Sequence, residues 1–155
     1  MMAIVGLDDR SSAHVDHDRL VAQAEFLVGE LGLHPDTEVS LALVDPDEMA
    51  ELHVEWMDLP GPTDVLSFPM DELRVPAPGQ TPVPGILGDV VLCPQVAEEQ
   101  GRTAGHGRDR ELELLLTHGV LHLLGHDHAE PDEHAVMFAL QDRLLAAWRA
   151  QESSR

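Results

Sequence analysis

The segment from residue 108 to residue 128 constrains the fold of this chain more than any other. Residues 108–124 are predicted to form a helix that is apolar on most of its sides, through Leu112, Leu114, Leu115, Leu116, Val120, Leu121 and Leu123. A helix that is apolar nearly all round is stable only when other elements surround it. We therefore expect this helix to be the buried centre of the fold.

Histidines stand at positions i, i+4 and i+10 near the end of this helix, as His118, His122 and His128. Residues four apart lie on one helix face, so His118 and His122 can converge on one point. Gly125 is the residue type best able to adopt a positive φ, and the reversal that it permits would return His128 to that point. Three neutral imidazoles that leave a fourth position open are typical of a catalytic zinc site. The pattern predicts one zinc ion per chain.

The spacing does not decide the roles of two neighbouring residues, His126 and Asp127. His126 could be a fourth ligand, which would make the site closed and structural, although adjacent loop residues rarely both point inward. Asp127 is better placed to accept a hydrogen bond from an imidazole N–H, a partner that ligating histidines generally need. The alternative for His118 and His122 is that they are ordinary core histidines.

The overall composition indicates one domain outside the membrane. A chain of 155 residues can bury roughly two-thirds of its unfolded surface. Cys93 is the single cysteine, which excludes an internal disulfide and favours a reducing compartment. No apolar run approaches the ~18 residues of a membrane span, and Asp8 and Asp9 stand where a secretory signal would need basic residues. We expect a cytoplasmic protein with no membrane contact.

The net charge of −20, with nine arginines and no lysine, bears on the choice of partner. Non-specific binding of nucleic acid depends on Lys and Arg at the phosphates, so the charge alone argues against it. The charge does not exclude a nucleic-acid partner that contacts the protein only in a cleft, through a metal ion and a few arginines. Arg102, Arg108 and Arg110 cluster around the start of the histidine helix, where the alternative is a solvated helix start. Arg74 follows a probable strand.

The hydrophobic pattern predicts an α+β fold: a compact single domain with about four short strands in a mixed sheet and about five helices around the histidine helix. The domain is expected to span residues 1–150, followed by a flexible tail at 151–155. The predicted strands are 3–7, 38–44, 65–68 and 87–93. An apolar stripe predicts a helix from Leu20 to Leu31, and further helices are predicted from Pro46 to about Trp56, at 94–102 and from Pro131. Residues 74–85 are predicted to be an irregular loop.

The spacing of the three histidines is also that of the metzincin metalloproteases. Those enzymes need a glutamate directly after the first histidine as their general base. Here that position is Gly119, which has no side chain to take a proton. A metalloprotease therefore remains a weaker alternative, and phosphodiester hydrolysis suits a metal ion with a nearby cation.

Three segments together resemble the YbeY family, bacterial endoribonucleases that act on ribosomal RNA. Residues 118–128 resemble its H-G-x-L-H-L-x-G-x-D-H signature. Residues 62–69 are similar to its P-T-D-V-L-S-F-P segment, and residues 87–91 are similar to its L-G-D-I-V-I strand. The order and spacing of the three segments match, over roughly residues 35 to 148.

The resemblance implies a zinc-dependent endoribonuclease that cuts single-stranded RNA, with zinc on His118, His122 and His128. It implies 3′-end maturation of the small-subunit 16S rRNA, ribosome quality control, and the small ribosomal subunit with its assembly factors as partners. Thr63, Asp64 and Ser67 would line the cleft beside the metal; the alternative is a turn and a core strand. The resemblance leaves open whether water or the RNA 2′-hydroxyl is the nucleophile.

The chain departs from the family pattern at two positions. Met57 stands where the family usually has an arginine that contacts phosphate, so either Arg74 or one of the arginines at 102–110 replaces it, or RNA cleavage by this chain is weaker. His126 stands where the family often has tyrosine. Together with the charge, Met57 sustains a further alternative, a ribosome assembly factor whose zinc is structural and which catalyses little.

Overall fold

Four strands form one mixed sheet in the computed structural model, which describes residues 3–153. Their order across the sheet is β1-β2-β4-β3. The strands β1, β2 and β4 run parallel, and β3 pairs antiparallel with β4 at one edge. The bounds are Ile4–Asp9 for β1, Glu38–Leu43 for β2, Val65–Pro69 for β3 and Ile86–Leu92 for β4.

Five helices complete the described chain, and the predicted α+β fold is confirmed. Their bounds are His17–Glu30 for α1, Pro46–Met57 for α2, Pro94–Ala104 for α3, Arg108–Leu123 for α4 and Pro131–Ser153 for α5. The long segment between β3 and β4 is irregular, as its prolines and glycines predict. The last helix continues through residues 151–153 of the predicted tail, and residues 154 and 155 lie outside the described residues.

The histidine-bearing helix α4 is the centre of the main core, as predicted. It contacts α1, α3, α5, β3 and β4, and its Leu112, Leu116 and Leu121 are almost fully buried. Because side chains alternate along a strand, β2 directs Val39, Leu41 and Leu43 into this same core. The opposite face of the sheet carries a second, smaller core under α2, formed by Val44, Met49, Leu66, Val91 and Cys93.

A buried carboxylate fixes α4 against the helices beside it. The Glu113 side chain is only 2% exposed and forms ion pairs with Arg19 of α1, Arg149 of α5 and Arg110 of its own helix. The Gln23 amide donates to the Glu113 carbonyl oxygen at 2.9 Å. A buried charge is stable only when it is paired and hydrogen-bonded, so these contacts tie α1, α4 and α5 together.

Within residues 3–153, no helix is long and apolar enough to cross a membrane.

Candidate metal site and its cleft

The three predicted histidines lie together at the C-terminal end of α4. Each offers a ring nitrogen, and the three nitrogens lie within 4.8 Å of one another. The Nε2 atoms of His118 and His122 are 3.0 Å apart, as expected for neighbours one helical turn apart. His128 returns from the following turn, with its ring centre 5.4 Å from that of His118 and 5.3 Å from that of His122. The histidines are thus placed to hold one metal ion.

Gly125 provides the reversal that returns His128 to the helix. Its φ is +93°, in the region that L side chains rarely adopt. Gly125 N–H donates to the His122 carbonyl oxygen at 3.0 Å, and His126 N–H donates to that of Leu121 at 3.0 Å. These bonds satisfy carbonyls that would otherwise be free at the helix end.

A glutamine from another helix orients the first histidine. The Gln141 side chain in α5 is 2% exposed, and its Oε1 lies 2.8 Å from His118 Nδ1. Because an amide oxygen only accepts, Nδ1 of His118 carries the proton and Nε2 keeps its lone pair toward the other two rings. Phe138 adds an aromatic wall, 5.8 Å from His118 and 6.0 Å from His128 between ring centres. Sequence reasoning missed both residues.

The electrostatic surroundings of His122 favour its neutral form, which is the form that binds metal. Burial lowers the pKa of the His122 imidazole, and its neighbours His118 and His128 lower this pKa further. The Asp127 carboxylate and a hydrogen bond to the backbone of His126 act in the opposite direction but are outweighed.

The histidines open onto a cavity of about 390 Å³. Its other walls are Met57, at the end of α2, and the segment from Asp64 to Ser67. His118 and His122 are half-buried, and His128 is exposed. A metal ion held there would face the cavity, which is the arrangement of an open site rather than a closed structural one.

Gly119 joins the histidine helix to this wall. Ser67 Oγ donates to the Gly119 carbonyl oxygen at 2.9 Å. A Cβ on Gly119 would lie 2.8 Å from Val90 Cγ1 and 3.2 Å from Ser67 Oγ, so the sheet occupies the space of any side chain. The residue after the first histidine therefore has no room for the general base of a metzincin.

Three other predicted residues, Thr63, Asp127 and His126, have different positions relative to the cavity and the converging nitrogens. Thr63 is not among the residues that line it, and its hydroxyl donates to Asp64 Oδ1 at 3.3 Å. The Asp127 carboxylate accepts from the backbone N–H of His128 at 2.7 Å, whereas the hydrogen bond to an imidazole comes from Gln141. His126 lies outside the group of converging nitrogens.

Arg74 lies against the turn between the ligands. Its Cζ is 2.7 Å from the position that a Cβ on Gly125 would occupy, so the exposed guanidinium covers this glycine. Its one hydrogen bond is to the carbonyl of Leu73, and it forms no ion pair within residues 3–153.

The other arginines of the described chain are mostly neutralised by carboxylates. Ion pairs engage Arg10, Arg19, Arg108, Arg110, Arg143 and Arg149. Arg102 has none but lies beside Glu98 and Glu99, in a separate cavity that Arg108 shares. Arg108 begins α4 and His122 is near its end, about 21 Å away along the helix. The cluster at 102–110 is therefore too far away to replace the arginine missing at Met57.

Comparison with known proteins identifies the same family that the sequence motifs suggest. The protein-family model described as Endoribonuclease YbeY matches residues 7–149, a longer stretch than the motifs alone covered. A protein of Thermobifida fusca named Endoribonuclease YbeY is 58% identical over 145 residues, covering 94% of each chain. One of the same name from Nocardioides sp. is 53% identical, over 92% of this chain and 96% of that protein.

A solved structure has the same fold. The solution structure of TM1509 from Thermotoga maritima aligns with a TM-score of 0.60 and 26% sequence identity. The alignment covers 99% of this chain and 96% of that one.

Proposed function

The chain belongs to the YbeY family, and from that premise we propose that it is a zinc-dependent endoribonuclease that cuts single-stranded RNA. The observation that carries the proposal is the convergence of three imidazoles on an open cavity, with Arg74 against the turn that joins the ligands and, within residues 3–153, without a carboxylate partner. The names of its relatives support RNA as the substrate.

We assign the metal to His118, His122 and His128. A set of three neutral imidazoles suits zinc better than it suits magnesium or calcium, which prefer oxygen ligands. Zinc in such a site supplies Lewis acidity and lowers the pKa of a water molecule toward neutrality. Gln141 holds His118 in the required tautomer, and Asp127 holds the backbone of His128 in the turn.

We assign phosphate binding to Arg74, in the role that Met57 cannot fill. The guanidinium donates to phosphate oxygens in a planar, often bidentate arrangement. Arg74 is exposed beside the ligand turn, and no carboxylate of residues 3–153 forms an ion pair with it. Asp64 and Ser67 line the substrate cleft beside the histidines, with Thr63 supporting Asp64 through its hydroxyl.

The family relationship also supports a proposal about the cellular substrate and the partners of the protein. We propose that the substrate is the 3′ end of small-subunit 16S rRNA, that the protein acts in ribosome quality control, and that the small subunit and its assembly factors are its partners. Such a substrate places the protein in the cytoplasm, and the free thiol of Cys93 is consistent with that compartment.

The test is cleavage of an end-labelled single-stranded RNA by the wild-type protein and by His122→Ala, purified in parallel, each with and without a chelator. The parallel variant controls for contaminating ribonucleases, which would co-purify with both proteins. We expect cleavage that is lost in the variant and lost with chelator.

Equal cleavage by both proteins, or by neither, would reject the catalytic proposal. The second outcome would favour a ribosome assembly factor with a structural zinc, a candidate that Met57 and the charge of −20 support. Incubation with denatured casein tests the peptidase alternative, for which Gly119 leaves no base in the expected position.

A further inference from the structure

Four consecutive residues of the chain, Asp64, Val65, Leu66 and Ser67, line the cavity of the three histidines. Side chains of successive strand residues point to opposite faces of a sheet. A cavity that contacts every residue in a row therefore runs along the edge of the strand and not over one face. Since β3 is the edge strand of the sheet, its backbone forms this wall of the cavity.

The hydrogen-bond register of β3 shows which backbone groups face the cavity. Cys93 N–H donates to the Asp64 carbonyl oxygen at 3.0 Å, and Met70 N–H donates to that of Leu87 at 3.2 Å. In an antiparallel pair, residues that bond to the partner strand alternate with residues whose N–H and C=O point away from it. The even-numbered residues of β3 therefore bond to β4, and the odd-numbered ones face outward.

Pro69 agrees with this assignment. It stands at an odd-numbered position of β3, where the absence of an N–H leaves no bond to β4 unmade. Proline within a sheet is tolerated at such outward positions of edge strands. The outward backbone groups beside the histidines are therefore those of Val65 and Ser67.

This edge has more acceptors than donors. The Val65 N–H already donates to Asp64 Oδ1 at 2.7 Å, so Ser67 supplies the remaining N–H. The carbonyl oxygens of Val65 and Ser67 both face outward, two residues apart, or about 6.7 Å along a strand. That spacing is close to the length of one nucleotide in an extended RNA strand. An extended peptide would need donors and acceptors in alternation, whereas ribose 2′-hydroxyls can donate to consecutive acceptors.

We propose, on the premise of the endoribonuclease function above, that the outer edge of β3 holds the sugar–phosphate backbone of single-stranded RNA. Ser67 N–H donates to a phosphate oxygen, and the carbonyl oxygens of Val65 and Ser67 accept from ribose 2′-hydroxyls. Because DNA lacks these hydroxyls, β3 is the element that selects RNA over DNA.

The first test changes the substrate and leaves the protein intact. Single 2′-fluoro nucleotides, which cannot donate from the 2′ position, are placed in turn along a single-stranded RNA, and KM and kcat are measured with the zinc-loaded protein. The ribose beside the cleaved phosphate is left out of the comparison, because its hydroxyl is a candidate nucleophile. We expect two neighbouring positions at which KM rises about fivefold, the loss of one hydrogen bond, with little change in kcat.

The second test removes the backbone donor. Ser67→Pro deletes the N–H, and Ser67→Ala is its matched control, since both lose the hydroxyl bond to Gly119. Proline is compatible with an outward position of an edge strand, and it favours the extended conformation at Leu66. We expect KM for RNA to be about tenfold higher for Ser67→Pro than for Ser67→Ala, because a bond to a charged acceptor is lost. Melting curves and zinc content establish that both variants are folded.

The outcomes separate this inference from the proposed function. If the wild-type protein binds RNA without cutting it, the catalytic proposal fails, and the same comparisons are made with Kd from fluorescence anisotropy. Uniform KM or Kd values across the 2′-fluoro series would overturn the assignment of the carbonyls. Equal KM or Kd values for Ser67→Pro and Ser67→Ala would overturn the assignment of the Ser67 N–H as a phosphate donor. If Ser67→Pro does not fold, the substrate series decides alone.

Discussion

The two ends of α4 carry polar clusters of opposite character. Toward its N-terminus, the buried Glu113 carboxylate is surrounded by Arg19, Arg110 and Arg149, and its backbone carbonyl also has a partner. At its C-terminus, the ring nitrogens of three histidines converge beside an exposed arginine that forms no ion pair within residues 3–153. The first cluster is closed by groups of the chain itself, and the second is open to the cavity.

This difference separates groups that hold the fold from groups that bind something else. The buried carboxylate has its requirements met on folding, and removing its arginine partners would leave it buried and unpaired. The histidines instead direct ring nitrogens toward one another at an open cavity, where a metal ion can bind them. The same helix therefore provides a structural anchor at one end and a binding site at the other.

The largest expected effect is at the open end. We expect His122→Ala to lose the metal and at least about 10³-fold in RNA cleavage, because two imidazoles remain for an ion that takes three. Metal content per chain after dialysis measures the first effect, and urea unfolding should stay cooperative. His14→Ala is the control, since His14 is exposed, lines a separate cavity and is outside the converging group. Full zinc content in the His122 variant would reject the ligand assignment.

Glu113→Ala should have the opposite pattern of effects, with a less stable fold and unchanged zinc binding. We expect a loss of about 2 kcal/mol in the free energy of unfolding, because Arg19, Arg110 and Arg149, which are partly exposed, lose their shared carboxylate acceptor. Glu30→Ala removes a surface ion pair with Arg143 and should cost under about 1 kcal/mol. Urea unfolding measures both, and zinc content at saturation should be unchanged. Loss of zinc in the folded Glu113 variant would show that the two ends of α4 are not independent.

The local part of the site was predictable from sequence because its spacing is local. The helical interval between His118 and His122 and the glycine at the helix end determine most of the geometry, and the structure has both as expected. The fold class followed from the periodicity of the strands and helices. An apolar α4 could only be central, and it is.

The rest of the site comes from segments that the sequence does not place in space. Gln141 reaches His118 from α5, 23 residues further along the chain, and Arg74 reaches the ligand turn from an irregular loop. The available signal was that Gln141 interrupts the apolar stripe of α5 four residues after Met137, where a buried amide needs a partner. The outward groups of β3 depend on its pairing register with β4, which periodicity alone does not give.

Gln141→Leu tests whether a residue of α5 orients the histidines at the C-terminal end of α4. The substitution keeps the approximate volume and removes the acceptor, so His118 can adopt the wrong tautomer. We expect zinc affinity to fall about 10- to 100-fold, measured by competition with a chromophoric chelator, and the unfolding midpoint to change little. Gln141→Glu restores an acceptor and should recover most of the affinity. Equal affinity in the leucine variant would show that packing alone orients the ring.

The smallest expected effect distinguishes Arg74 from Arg102, the two arginines within residues 3–153 that form no ion pair. We expect Arg74→Ala to raise KM for single-stranded RNA about tenfold, and to reduce by about one the slope of log affinity against log salt, because one phosphate contact is lost. Arg102→Ala removes the same charge from a cavity away from the histidines and should change neither quantity. Arg74→Lys should recover the salt slope but only part of KM, since a lysine cannot bind phosphate in a bidentate way. Equal effects of the two alanine variants would mean that net charge, and not the position of Arg74 beside the ligand turn, controls RNA binding in this acidic chain.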